Sequence, residues 1–550
     1  MKQSSRLVSE LTILLFCIYG LTAMAFSQSG VQPGGAVQGK VTLSSNGAPV
    51  HNVKVTIIQL RRSTETNDDG TYEFRNVPQG KYDISAHLEG TPDVLQKVEV
   101  GSSGVMADFE IRLGAVREQV TITATGSEET TFNSIQSVTI IGSLDLAKKN
   151  PISLGEALDN ELGIAKRSFG PGTSRPVIRG FDGDRVLVLQ NGERIGALGF
   201  QSGDHAEPVD LLSADRIEVV KGPATLLYGS SALGGVVNAI AGHDEAHEGL
   251  RGYFTALGST NNWQGGGSAG LEYGTAKWLV WANGGAQRAG EYDTPIGRVR
   301  NSYARNANVS GGAGYFSGKG WFSADYAHDS RRYGIPYDSS EAGPEIVYLN
   351  PRRNSVQGRF GWRDLNSFVG GAQFSLQYND YRHNEIAADT GAVNTAFKNK
   401  SFIYRGVFEE RRTGRLTGSF GFWGLYRDYK VEGAEALARP TTQNAFAAFG
   451  LQTINFEHAA LQFGGRVEHN GYNPAAPSRL PARSFTGFSG ALGIRVPLPR
   501  SSAFVVNYSH AYRAPSLEEL YNNGPHVGNL TFEIGNPNLN RESSDGLDIS

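Results

Sequence analysis

Two stretches of the chain alternate strictly between apolar and polar side chains. Phe374, Leu376 and Tyr378 alternate with Gln373, Ser375, Gln377 and Asn379, and Leu461, Phe463 and Val467 alternate with Gln462, Arg466 and Glu468. A period of two predicts β-strands with one apolar and one polar face. Past the first 25 residues no run of about 20 apolar residues occurs, which excludes a bundle of transmembrane helices. In a soluble sandwich the apolar face would be the core, whereas in a membrane barrel it meets lipid and the polar face lines the lumen. Repetition of the pattern over about 300 residues, together with the export signal described next, favours the barrel, in which closure also satisfies every backbone group in lipid.

Lys2 and Arg6 precede an apolar stretch from Leu11 to Leu21, and Ala23-Met24-Ala25 follows. These are the parts of a secretory signal peptide, predicted to span residues 1–25 with cleavage after Ala25. The single cysteine, Cys17, lies inside it, preceded by Leu15 and Phe16 instead of the small residues of a lipoprotein site. The exported chain would then hold no thiol for a disulfide or a thiolate metal site. With 51 Lys plus Arg against 54 Asp plus Glu, the chain is neither a polybasic nucleic-acid binder nor an acidic tail protein.

Residues 36–114 read as one small domain, a sandwich of two antiparallel sheets. Short alternating runs such as Val53-x-Val55-x-Ile57 and Tyr72-x-Phe74 are separated by the turn signals Asn46-Gly47, Asp69-Gly70 and Pro78-Gln79-Gly80. The pattern from Gly39 to Ile84 resembles the carboxypeptidase regulatory-like domain. Asp68 and Asp69 have the chemistry of calcium ligands, but Asp-Gly serves a turn equally well and is read so here. In the polar segment 115–131, the short β-prone run Val120-Thr121-Ile122-Thr123-Ala124 is a lone strand, suited either to a linker or to pairing with the sheet edge of a partner.

Residues 132–243 form a mixed α+β unit. Ser153 and Glu156 predict a capping box ahead of Leu158 and Leu162, and Asn191-Gly192 predicts a tight hairpin. The two motifs VIRGFDGDRVLVLQNGERI and DRIEVVKGPATLLYGSSALGGVVNAI, spanning residues 177–240, resemble the plug domain of TonB-dependent outer-membrane receptors. GSSALGG lacks the GxxxxGK[ST] pattern of a phosphate loop. The resemblance implies a mainly β protein: an N-terminal β-sandwich, an α+β plug, and part of a 22-stranded transmembrane β-barrel over residues 248–550. It also implies an outer-membrane location, energised import, a periplasmic TonB box at Val120, Thr121, Ile122, Thr123 and Ala124, and TonB and membrane lipid as partners. No prosthetic group is implied.

Within that family, DGDRVLVLQNGERI, SGDHAEPVD and AYRAPSLEELYNNGPHVGNLTFEIGN resemble the zinc-uptake receptors. By motif this implies Asp204 and His205 in the plug and His526 in the NGPH segment as ligands of a transported zinc ion. The stretch YGIPYDSSEAGPEIVYLN departs from the subfamily, since it has acidic residues but no histidine. Independently, strand parity counted from Phe374 puts His383 and Glu385 on the lumen face, where the two can converge on an ion from the wall. Imidazole nitrogen and carboxylate oxygen suit zinc without thiols. His243 and His247 in HDEAH lack the glutamate that a metalloprotease helix needs after its first histidine, and this segment is read as a solvated linker.

Other cargoes remain open, among them a siderophore, haem or an oligosaccharide, as does a non-transporting adhesin. No set of nucleophile, base and orienting residue points to an enzyme. At roughly 22–28 residues per strand and connection, residues 248–550 supply about 11–14 strands. Together with an end at Asp548-Ile549-Ser550, this leads to the expectation of a C-terminally truncated barrel.

Overall fold

Of the 550 residues, a computed structural model describes 34–44, 47–88, 93–111, 120–121, 129–130, 134–199, 202–222, 224–243, 246–337, 346–411, 414–433, 436–477, 479–499, 502–526 and 531–550. The expected signal peptide and the segment 122–124 lie outside the described residues. The chain divides into two units, Met1–Ala115 and Val116–Ser550.

In the first unit, alternation of the kind read from the sequence builds two facing sheets. One joins Thr71–Val77, Gly35–Leu43, Val105–Met106 and Phe109–Ile111, and the other joins Arg62–Glu65, Lys54–Ile57, Gly80–His87 and Val94–Val100. Their inward residues, among them Val37, Val41, Val55, Ile57, Phe74, Ile84 and Phe109, form one core. The sheets are not wholly antiparallel. After Val94–Val100 the chain crosses over and runs beside Gly35–Leu43 in the same direction, through both Val105–Met106 and Phe109–Ile111. The Asp69 carboxylate accepts hydrogen bonds from the backbone N–H and hydroxyl of Thr71, at 3.0 and 2.7 Å, so it serves the turn.

The second unit holds an inner α+β domain and a wall. The inner sheet has the order Ser137–Gly142, Arg216–Lys221, Gly235–Ile240, Val186–Gln190, Glu193–Arg194, with one parallel pairing, between Val186–Gln190 and Gly235–Ile240. Asn191 and Gly192, with φ of 51° and 82°, make the expected two-residue hairpin turn, because both central positions need positive φ. Ser153 is the N-cap of the short helix Leu154–Leu158, but no capping box forms there. Its hydroxyl bonds Ser174 Oγ at 2.8 Å, and Glu156 instead accepts the N–H of Ile152. Leu162 lies beyond the helix and is exposed. A complete capping box occurs at Ser516 and Glu519, ahead of the helix Leu517–Tyr521. Val120–Thr121 is not a lone strand, since it pairs antiparallel with Glu129–Thr130.

The wall is a 15-stranded sheet running from Gly249–Ser259 to Glu542–Ile549, its 15 including the short strand Val347–Leu349. Leu376 and Tyr378 face outward, whereas Ser375, Gln377 and Asn379 are buried inside. Phe463 and Val467 are likewise outside, and Arg466 and Glu468 inside. Phe254, Leu271, Val309, Phe322, Tyr426, Phe446, Phe488 and Phe504 extend the outward apolar face, far more than a soluble monomer exposes. On the lumen side, Tyr381, Phe397, Tyr429, Tyr472, Phe485 and Tyr512 share one hydrophobic cluster with Ile141, Leu158, Ile178, Val188 and Ile217 of the inner domain. No described helix is long and apolar enough to cross a membrane, which says nothing of strands.

One hydroxyl in the first unit has a measurable role. Buried Thr66 Oγ1 accepts the N–H of Val53 at 2.9 Å and donates to the carbonyl of Val50 at 2.7 Å. Thr66→Val would leave both backbone groups unpaired, at a cost of about 2 kcal/mol. Calorimetry of residues 34–113 expressed alone should show the thermal midpoint falling by roughly 10 °C, and an unchanged midpoint would exclude this role.

Candidate metal site

Neighbouring side chains on a strand point to opposite faces, so an Asp-His pair can converge on one point only where the backbone turns. Asp204 and His205 sit in such a turn, closed by a hydrogen bond from the His205 N–H to the Ser202 carbonyl at 3.3 Å. Gly203 is required there, because a Cβ would lie 2.3 Å from the Phe169 ring. Tyr333 of the wall fastens the turn: its hydroxyl donates to the Asp204 carbonyl at 3.0 Å and accepts the Ala206 N–H at 2.9 Å. The Ser202 hydroxyl donates to Asp204 Oδ1, which leaves Oδ2 free to face the lumen.

The other donors come from separate segments. Glu385 and His383 lie on the wall strand Val369–Ala387, whose register against its neighbour is regular from Gly371 to Glu385, so both face inward as parity predicts. His526 ends the strand Asn523–His526, which pairs with Thr531–Ile534. Asp204, His205, Glu385 and His526 are all buried, and one ligand atom from each lies within 4.8 Å of the others.

The spacing of these atoms fits a cation. His205 Nε2 is 3.4 Å from Glu385 Oε1, His526 Nε2 is 3.4 Å from Asp204 Oδ2, and His526 Nε2 is 3.1 Å from Glu385 Oε1. A tetrahedral zinc ion with bonds of about 2.0–2.1 Å separates its ligand atoms by roughly 3.3–3.4 Å. Asp204 Oδ2 and His526 Nε2 have no hydrogen-bond partner among the described residues, and Glu385 Oε1 is contacted by His205 Nε2 at 3.4 Å, so the polar atoms of the four residues face one another.

The remaining ring nitrogens are held from behind. His205 Nδ1 lies 3.2 Å from the Leu198 carbonyl and His526 Nδ1 lies 2.6 Å from Glu533 Oε1. Each contact engages Nδ1 and turns Nε2 into the cluster, as outer partners of metal-binding histidines do. Burial opposes a charge on His526, but Asp204, Glu385 and Glu533 outweigh it and hold its pKa well above the ordinary histidine value.

His383 is beside the cluster but outside the convergent set. Its ring stacks on Phe397 at 4.2 Å and meets His205 edge-on at 4.4 Å, and neither ring nitrogen has a hydrogen-bond partner among the described residues. Glu533 and Tyr333 escaped the sequence reading. Glu533 reaches His526 as a diagonal neighbour across a strand pair, a relation that no spacing along the chain reveals. Of the proposed box, Val120 and Thr121 are described as strand backbone, and Ile122, Thr123 and Ala124 lie outside the described residues.

The reading of His243 and His247 as a solvated linker is corrected. Their side chains are 11% and 4% exposed and lie 2.7 and 3.0 Å from the two oxygens of Glu272, because the segment folds under the lumen face of the wall strand Gln264–Gly274.

Comparison with known proteins is consistent along the chain. Residues 36–113 match the family described as carboxypeptidase regulatory-like domain, 130–236 the TonB-dependent receptor plug domain, and 243–550 the TonB-dependent receptor-like β-barrel. Among curated proteins, the chain is 26% identical over 425 residues to a protein named vitamin B12 transporter BtuB from Vibrio vulnificus (strain CMCP6), covering 74% of this chain and 65% of that protein. It is 25% identical over 472 residues to one named hemin receptor from Yersinia enterocolitica, covering 78% and 65%. The chain thus spans somewhat less than two thirds of the length of these relatives. Among solved structures, one named copper transporter OprC superposes with a TM-score of 0.64 at 17% identity, covering 75% of this chain and 69% of that one, a likeness of fold.

The Tyr333 strap gives a direct test of how the turn is held. Tyr333→Phe leaves a buried N–H and a buried carbonyl unpaired, at about 1–3 kcal/mol. Hydrogen–deuterium exchange should therefore speed up in peptides covering residues 202–209 and stay unchanged in the wall strand Arg483–Leu498. Equal protection in both proteins would show that Tyr333 does not hold the turn.

Proposed function

The chain belongs to the TonB-dependent receptors, outer-membrane β-barrels with an inner plug domain, and from that premise we propose that it imports a divalent metal ion, zinc by its ligand chemistry. The observation that carries the reading is the set of three ligand-to-ligand gaps of 3.1–3.4 Å among Asp204, His205, Glu385 and His526, close to the edges of a zinc tetrahedron. Two carboxylates balance the ion's two charges, and two neutral imidazoles complete the shell. His383, whose ring nitrogens have no partner among the described residues, is kept as an additional ligand. The donors come from the plug, the wall and a hairpin in the connection between the wall strands Ser502–Arg513 and Glu542–Ile549, so the ion would tie three segments together.

A second reading has its own support. A cavity of about 730 Å³, lined by residues that include Arg175, Asp182, Glu519 and Glu533, has the size of a site for an organic molecule. The relatives named as vitamin B12 transporter and hemin receptor point the same way, toward a metal chelate or another organic cargo. Family members are receptors and transporters, and the reading assigns no catalysis. An adhesin without import has no comparable feature in its favour.

Calorimetric titration of the refolded receptor with zinc, copper and nickel salts separates the two cargoes. Zinc should bind, with affinity falling at least tenfold in His205→Ala and staying unchanged in the control His458→Ala, whose residue is exposed. A proton on His526 competes with the ion, and its raised pKa makes that competition begin above the ordinary histidine value of about 6.5. Affinity should therefore decline steadily as the pH is lowered from 8 to about 6. Absence of binding by any divalent metal would favour the organic cargo.

For energy coupling we place the TonB box at Val120–Ala124. A strand that pairs through its backbone tolerates side-chain changes but not the loss of a donor. Ile122→Pro should abolish zinc uptake by cells while leaving cell-surface binding intact, and continued uptake would move the box elsewhere.

A further inference from the structure

Like charges directly opposite each other on neighbouring strands repel, so a row of them on a lipid-facing wall calls for a counter-charge. Arg288 stands opposite Arg305, and Arg305 opposite Arg332, on the adjacent wall strands Trp278–Ala289, Ala304–Phe316 and Gly320–Gly334. All three are exposed and share the outward parity of Val280, Val309 and Phe322. Arg352, which opens the strand Arg352–Trp362 opposite Ser330, is the diagonal neighbour of Arg332. Among the described residues, none of these four guanidinium groups pairs with a carboxylate. The acids of the adjoining connection 290–303 are engaged elsewhere, Asp293 with Arg298 at 2.9 Å and Glu291 with Arg300 at 3.6 Å. On the next wall strands of the same rim the cations have acids of their own: Arg382 has Asp380 at 2.7 Å, Lys398 has Glu432 at 2.6 Å and Lys430 has Asp428 at 3.1 Å. The arginine row is the stretch left unbalanced.

The row stands at one edge of the membrane band. The chain between these strands is short at 275–277 and 317–319 and long at 290–303 and 335–351, and the longer connections of outer-membrane barrels face the cell exterior. The four arginines stand beside the long connections. Trp278, Tyr315 and Phe322, in mutual ring contact near the short ones, mark the other edge. Trp278 and Arg288 are ten residues apart on one strand, which is about 34 Å of chain and about 26 Å along the barrel axis at a tilt of about 40°. The apolar band of such barrels is about 25 Å tall, so the guanidinium groups reach the level of the outer-leaflet headgroups. Directly below the row the outward positions are small. Gly267, Ala286 and Ala307 lie in register, and Ala269, Gly284 and Ala282 continue the lane toward mid-membrane. Leu271 and Tyr326, in register with Ala282 and Gly311, stand out on either side of it.

We propose that Arg288, Arg305, Arg332 and Arg352 bind the phosphate groups of an outer-leaflet lipid whose acyl chains lie along the lane of small residues below them. The site is independent of the cargo and needs only the membrane location. Guanidinium is the cation suited to it, because its planar fork meets two phosphate oxygens at once and it is weakly hydrated. The Arg332 guanidinium also lies 4.2 Å over the Tyr348 ring, which covers one of its faces and leaves its N–H groups for an acceptor. At the edge of the hydrocarbon the pairing is stronger and less screened by salt than in open water. A free phosphate ion would balance the charges and leave the lane uncovered, whereas a lipid occupies both.

The test uses the refolded receptor in detergent and reads bound lipid per chain by native mass spectrometry. The probes are lipid A with its phosphates, lipid A stripped of them, and phosphatidylethanolamine. Phosphorylated lipid A should be retained at least tenfold more strongly than either of the others. The variant Arg288→Gln/Arg305→Gln/Arg332→Gln should lose that preference. Lys277→Gln/Lys319→Gln/Arg415→Gln, which removes the same charge from exposed positions at the short-turn rim, should keep it. Phosphorylated lipid A should also raise the parent's thermal midpoint and leave that of the arginine variant unchanged. Heat-modifiable migration on gels checks that each variant folds, and Arg305→Gln alone, at the centre of the row, should weaken retention at least threefold and covers the case in which the triple variant does not fold. Equal retention of the three lipids by the parent, or undiminished retention by the arginine variants, would refute the site. The same loss in the short-turn control would reduce the effect to net charge and refute it as well.

Discussion

Side chains on a strand alternate in direction, so a wall that turns one face to lipid must place its entire polar chemistry on the other. The lumen of this wall therefore carries charged and amide groups that no soluble core would hold in such number. Arg331 pairs with Asp329 at 2.8 Å, Arg427 with Glu518 at 2.5 Å, and Arg466 with Glu468 at 2.7 Å, all of them buried. Glu385 belongs to the same set, but it faces imidazoles instead of a guanidinium. That one difference is what the proposed metal site rests on.

The same constraint decides how the plug is seated. Its contacts with the wall include apolar clusters and ion pairs, and beside them hydrogen bonds: Asn399 to the Gly196 carbonyl at 2.8 Å, Arg331 to the Val209 carbonyl at 2.6 Å, Asn306 to the Ile152 carbonyl at 2.8 Å, and Ser268 to the Leu212 carbonyl at 2.9 Å. Such bonds exchange with water at a net cost of only about 0.5–1.5 kcal/mol each, because water replaces the lost partner. A seam built this way can hold the plug firmly and still be opened by hydration, which a seam of equal area made only of apolar contacts could not.

What the sequence discloses follows from the same geometry. Parity along Phe374–Glu385 reads correctly because lipid enforces it, and it delivers Glu385 and His383 to the lumen without any knowledge of the fold. Asp204 and His205 could be placed only through the motif around them, since a turn has no period to count. Ser153 and Glu156 have the spacing of a capping box, yet the buried hydroxyl of Ser174 competes for Ser153 and wins. Ser516 and Glu519 have the same spacing and do form one. The difference lies in a tertiary neighbour and is invisible along the chain. His247 was misread for a related reason: a polar linker inside a lumen looks the same in sequence as one in water. Glu533 could not be read at all, because its relation to His526 exists only across a strand pair.

The charge balance of the Asp204 cluster links capture to movement. Without an ion, two carboxylates face two imidazoles, and the proton drawn onto His526 by its acidic neighbours supplies part of the missing positive charge. A divalent ion supplies all of it and needs that proton gone, so on the proposed reading the cluster exchanges one cation for another and is never left with bare charges. The four donors belong to three segments: the turn holding Asp204 and His205, the wall strand carrying Glu385, and the hairpin that ends in His526. The wall cannot shift without breaking its ladders, so the shell can be dissolved only by moving the turn or the hairpin. Displacing the turn withdraws an anionic and a neutral ligand together, which lowers the affinity of what remains far more than the loss of either alone. A force applied to the plug thus acts on the pair of ligands whose removal releases the ion most completely.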